Sequence, residues 1–242
     1  MMTRRPGGWR TRLPYLVWSF DYSHASAGPK VLHRLCHELN EAGQEAAIGN
    51  GYRTNPEWNT PRGDPPIKGD WCAIYPEVVS GNPWNAPRVA RWVLNVPGLL
   101  GGDREYDPAE MVFSFSTLFL DAPLLYLPAI ETDIYTDRHE PREGELHYVG
   151  KGVPGDTVGT QPITLAMRED RYALADALNR ASLLRSFDAV SGMNNIALLC
   201  GCPVQVNDER WEPDGFRKRY LEECAAFPKQ LAEFVRITQA AA

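Results

Sequence analysis

Several signatures are missing from this 242-residue chain, and each absence removes a class of protein. No run approaches the ~18 apolar residues of a membrane-spanning helix, and no apolar core follows the arginines at the N-terminus, so neither a membrane span nor a secretory leader is expected. There are only five cysteines (Cys36, Cys72, Cys200, Cys202 and Cys224), an odd and scattered set. That pattern argues against a disulfide framework and for a reducing, cytoplasmic compartment. Cys200-Gly-Cys202 has no second ligand pair, which disfavours zinc. No G-x-G-x-x-G follows the first apolar run, which counts against a nicotinamide-dependent oxidoreductase, and the GxxxxGK[ST] spacing of a P-loop does not occur. Positive charge is also short. The net charge of −6 disfavours wholesale coating of nucleic acid. The exception is local: Arg4, Arg5, Arg10 and Arg12 have no acid among them and read as a disordered basic leader rather than a binding arm.

What is present is an ordinary globular composition, 43% apolar and 23% charged, with 20 prolines and 20 glycines that imply many turns. Tyr15-Leu-Val-Trp-Ser-Phe20 reads as a buried first strand, and a helix starts near Pro29 and stops at Gly43. Val31, Leu32, Leu35 and Leu39 mark the buried face of that helix. His33 and His37, four residues apart, are expected to point away from it into solvent rather than to hold a metal. Strands are expected at 45–49, 70–75, 111–115 and 124–127, a helix at 85–94, and a long surface loop at 50–70. The charged, non-periodic stretch 136–144 reads as a linker. Beyond it come strands at 146–150, 162–165, 183–187 and 203–206, helices at 170–179 and 191–200, and a tail of one or two helices broken at Pro228. Strands alternating with helices predict an α/β protein with two lobes, residues 1–138 and 145–242, each a Rossmann-like parallel sheet.

In such sheets ligands bind beyond the carboxyl ends of the strands. Two turns in the second lobe suit a diphosphate. Gly150 and Gly152 allow close approach of backbone amides, with Lys151 between them as a cation. The helix starting near Ser191 presents free amides and a positive dipole end.

Ser186-Phe-Asp188-Ala-Val-Ser191-Gly-Met-Asn194-Asn195-Ile196-Ala-Leu-Leu-Cys200-Gly201-Cys-Pro203-Val204 resembles the donor-binding segment of GT-B glycosyltransferases. In that family an acid is followed eight positions on by a second acid and then by Gly-x-Pro-Val. Asp188, Ser191, Gly201, Pro203 and Val204 match, and Ile196 stands where the second, ribose-holding acid is usual. Tyr148-Val-Gly-Lys151-Gly is similar to the family's phosphate turn, Phe20–Gly28 to its acceptor loop, and residues 79–98 to bacterial polysaccharide-type members. The resemblance covers about two thirds of a chain shorter than most of the family.

It implies two lobes facing a cleft, and metal-independent transfer of a sugar from a nucleotide-diphosphate sugar to an acceptor hydroxyl. The acceptor would be a glycan or a hydroxymethylated base in DNA, such as 5-hydroxymethylcytosine. Donor contacts would come from Gly150, Lys151, Gly152, Asp188, Ser191, Asn194 and Asn195, with Asn194 or Asn195 taking over the ribose. Arg168 and Arg185 stand in reserve for the diphosphate. His24 or Asp21 would be the base that deprotonates the acceptor, and His24 has the better ordinary pKa for it. Trp58, Trp84 and Trp92 are candidates to stack on a sugar or base, against a core role that is commoner for tryptophan. The alternative from another class is a non-catalytic nucleotide-sugar-binding module, which Ile196 favours.

Overall fold

A computed structural model describes residues 13–127 and 129–240, so the basic leader lies outside the described residues. The chain forms two compact units. The first takes in residues 13–22, 32–126 and 228–240, the second residues 23–31 and 127–227.

The first unit holds a wholly parallel sheet of β1 (Tyr15–Ser19), β2 (Ala46–Asn50), β3 (Cys72–Pro76), β4 (Arg88–Val93) and β5 (Met111–Ser114), in the order β2-β1-β3-β4-β5. β3 is buried along its whole length, as expected of a parallel strand covered on both faces. Helix α1 (Ala27–Glu41) connects β1 to β2. The expected helix at 85–94 is instead β4, paired with β3 and β5. Its Val, Trp and Val side chains are all buried, and a strand buried on both faces loses the alternation that would have marked it. The strand expected at 124–127 reduces to one bridge, Leu124 to Ser114.

The final helix, α6 (Phe227–Ala240), contributes to this first unit. Phe234 packs on Tyr15 and Phe113, and Thr238 Oγ1 lies 2.7 Å from the Tyr15 hydroxyl. Trp92 is core, with its indole N–H donated to the Leu125 carbonyl. Trp84 packs beside Trp71 and Tyr75, and Trp58 beside Tyr22 and His37.

His33 corrects the expectation of a solvated side chain. It is fully buried, its Nε2 3.0 Å from the Phe20 carbonyl and its ring edge-on to Tyr22. A carbonyl only accepts, so Nε2 carries the proton. Burial holds the His33 pKa below its ordinary value, although the Phe20 carbonyl and Asp21 act the other way. The unfolded chain therefore binds this proton more readily than the folded one. Stability should be full above the ordinary histidine pKa of about 6.5 and should fall as pH drops from there toward the folded-state value. Circular-dichroism melts between pH 8 and pH 5 should show that decline, and His33→Gln should flatten it. A decline of equal slope in the variant would assign it to other groups.

The second unit repeats the arrangement. β6 (Glu145–Tyr148), β7 (Thr160–Pro162), β8 (Leu183–Ser186), β9 (Val204–Val206) and β10 (Glu209–Trp211) form a sheet in the order β10-β9-β8-β6-β7. Counted along its own segment, this is the first sheet's order again. All pairs are parallel except β10, an antiparallel edge strand. Helices α2 (Leu165–Glu169), α3 (Arg171–Arg180), α4 (Gly192–Leu199) and α5 (Phe216–Ala225) complete the unit. Its core gathers Leu146, Leu174, Leu178, Leu184, Ala197 and Val204.

The 136–144 stretch, read as a linker, belongs to this unit. Arg142 donates to the carbonyls of Leu178, Ala181 and Cys200, and the Arg138 amide donates to Asn179 Oδ1. Both units are thus Rossmann-like α/β sheets. All five cysteines are free, and burial pushes Cys36, Cys72, Cys200 and Cys202 up to about 12. Among the described residues no helix is long and apolar enough to cross a membrane.

Candidate functional site

The second sheet changes direction at β6: the chain passes from β6 to β7 on one side, then to β8 on the other. A crevice beyond the carboxyl ends of β6 and β8 is where an open α/β sheet takes a ligand. The loops leaving those two strands carry the turn at 150–152 and the segment 187–191.

They meet closely. The Phe187 amide donates to the Tyr148 carbonyl at 2.8 Å, and the Lys151 amide donates to Asp188 Oδ2 at 3.0 Å. Gly150 has φ +57, and a Cβ there would lie 2.5 Å from Asp188 Oδ2. A Cβ at Gly152 would collide with the Phe187 carbonyl. Both positions therefore demand glycine, one for its backbone conformation and closeness, the other for closeness alone.

Asp188 is the hub. Its buried carboxylate accepts the Lys151 and Val190 amides, and its carbonyl accepts the Asn194 side-chain amide at 2.9 Å and the Ser191 amide at 3.3 Å. Ser191 caps α4, its Oγ accepting the Met193 amide at 3.2 Å. Such a cap is worth about 1 kcal/mol. Asp188 thus ties the start of α4 to the turn that carries the exposed Lys151.

The neighbouring asparagines diverge. Asn194 is 1% exposed and bonded to the Asp188 loop, and its Oδ1 is enclosed with no partner. Asn195 lines a separate cavity of about 360 Å³ with Trp211 and Phe216. Ile196 packs against the core of the unit.

Of the reserve cations, Arg185 is paired with Glu145 at 2.7 Å. Arg168 lies with its guanidinium 5.7 Å from the centre of the Tyr148 ring and donates Nη1 to the Ala25 carbonyl. Residues 23–31 belong to this same unit, and with them His24. Desolvation first, then Lys30 and Arg171, hold the His24 pKa below its ordinary value, which keeps the imidazole neutral near pH 7. Asp21 belongs to the first unit. There its Oδ1 accepts the Tyr52 and Arg53 amides at 2.6 and 3.0 Å, bonds that lower its pKa and fix the turn after β1.

Sequence reasoning missed Lys30, Glu131 and Arg171. Lys30 Nζ lies 3.1 Å from Glu131 Oε2, and Arg171 engages the other oxygen of that carboxylate. The available signal was a lysine in a first helical turn, where an acid is the electrostatically favoured choice.

A cavity of about 870 Å³ lies elsewhere in the unit, between the carboxyl end of α4 and α5, with Leu198, Leu199, Leu221 and Ala225 in its lining. The residues at the amino end of α5, Gly215, Arg217 and Lys218, also line it. No protein-family model matches this chain, and no curated protein is found to resemble it.

Proposed function

We propose that this protein is a glycosyltransferase of GT-B type that moves a sugar from a nucleotide-diphosphate sugar to an acceptor hydroxyl. The observation that carries the reading is the junction of the 150–152 turn with the 187–191 segment and the start of α4, at the crossover point of the second sheet. In this reading Lys151 and the first turn of α4 neutralise the departing diphosphate, which lowers the energy of the charge that develops as the sugar–phosphate bond breaks. His24, neutral near pH 7, accepts the proton of the acceptor hydroxyl. Asp188 and Asp21 act by holding the turns that carry the reacting groups. The acceptor is a glycan or a hydroxymethylated base in DNA. Steep weakening of duplex binding with added salt would select DNA.

A nucleotide-sugar screen by thermal shift tests the donor site. A donor at about 100 times its Kd adds ~2.7 kcal/mol, which for a chain of this size raises the Tm by roughly 5–10 °C. Lys151→Ala should weaken donor binding at least tenfold and remove most of that shift. An unchanged shift in this variant would remove the phosphate assignment.

The second reading, a non-catalytic nucleotide-sugar-binding module, is favoured by Ile196, which packs into the core where the family places its ribose-holding acid. Release of free nucleotide from the donor that binds separates the two readings: tight binding without any turnover, across acceptors, selects the module.

A further inference from the structure

The turn at 23–25 is clasped by the end of α2. Ser23 Oγ donates to Glu169 Oε1 at 2.6 Å, and Arg168 Nη1 donates to the Ala25 carbonyl at 3.2 Å. His24 lies between these two fastenings. Arg168 meets no carboxylate among the described residues, and its Nε is enclosed without a hydrogen-bond partner. Its guanidinium covers the face of Tyr148, and the edge of that ring lies against Gly150. One arginine therefore touches both the His24 turn and the residue that leads into the Lys151 turn. The other charged groups acting on His24 are Lys30 and Arg171, which share Glu131, and then Glu169. Lys30 keeps only 8% of its side chain exposed, so its charge acts through a poorly screened medium. The fields of Lys30 and Arg171 outrank those of Glu131 and Glu169 at His24.

We infer that the acceptor is anionic, and that Arg168, backed by Lys30, takes a phosphoryl group of the acceptor beside His24. The fork of a guanidinium matches two phosphoryl oxygens, and Arg168 has donors left after serving Ala25. The word "acceptor" rests on the glycosyl-transfer reading; the anion seat does not. It is a second seat, apart from the 150–152 turn, and each of the two can fail alone.

Inorganic phosphate is the probe, and the His24 ring proton, assigned with His24→Asn, is the readout in an NMR titration of the whole chain. Phosphate should move the His24 resonance and raise its apparent pKa, because a dianion beside the ring favours the imidazolium. Arg168→Gln should lose that response, and Lys151→Ala should keep it. Should R168Q not fold, R168K keeps the charge but not the fork, and must weaken the phosphate affinity at least threefold. The inference is overturned by a His24 signal indifferent to phosphate, by a response retained in R168Q or undiminished in R168K, or by one lost in K151A, which would put the ion in the donor turn.

Discussion

Gly152→Ala is expected to abolish donor binding while the protein stays folded. The new methyl group would fall inside the contact radius of the Phe187 carbonyl, which is backbone and cannot swing aside. The turn must lift, and lifting it breaks the 3.0 Å bond from the Lys151 amide to Asp188. Asp188 also receives the Ser191 and Asn194 donors, so the disturbance reaches the start of α4. Forced overpacking of this kind costs about 1–3 kcal/mol, a few degrees of Tm in a chain this long. Displacing a charge-assisted contact by an ångström or more should weaken the donor at least a hundredfold, about 2.7 kcal/mol. Calorimetric titration with the best donor, run beside a melt of each protein, separates the two effects. Normal binding by this variant would mean that the diphosphate is seated elsewhere.

Arg91→Met should give the largest loss of stability of any single change. Arg91 is fully buried in the first unit, ion-paired to Glu110 at 2.8 Å. It donates to the carbonyls of Pro76, Val79 and Gly81 and lies between the rings of Tyr75 and Tyr106. One guanidinium thus ties the loop after β3 to the segment that leads into β5. Methionine fills similar volume but strands the Glu110 carboxylate and three carbonyls without their donor. Breaking a buried pair from one side costs about 3–5 kcal/mol, a large part of the 5–15 kcal/mol typical of a folded protein. Urea unfolding should show the drop, and adding Glu110→Leu should recover part of it, because the stranded charge goes with it. A loss below ~1 kcal/mol for R91M alone would reduce Arg91 to an ordinary packing residue.

The parts of this protein legible in its sequence are those whose causes are local. α4 was readable because Ser191 caps it and Gly201, at φ +72, ends it. The 150–152 turn was readable because its two glycines bracket a lysine. What sequence could not supply came from partners distant along the chain. β4 was mistaken for a helix because Val89, Trp92 and Val93 are spaced as on a helical face, and because Arg91 interrupts them with a charge that only Glu110 and three carbonyls make tolerable inside. β10 is a short, mostly exposed strand paired with β9, and its single apolar residue, the half-buried Trp211, is too little to mark a strand. His33 reads as solvated until Tyr22 and the loop beyond β2 close over it. In the candidate site, the turn residues were foreseeable, whereas the approach of Arg168 to Tyr148 and Ala25 depends on how α2 folds back.

The placement of α6 sets an order of events during synthesis. Every residue of the second unit has been joined before Phe234 and Thr238 exist, yet the first unit needs both to close around Tyr15 and Phe113. The half of the chain that leaves the ribosome first therefore cannot complete its packing until its last-made helix has been joined.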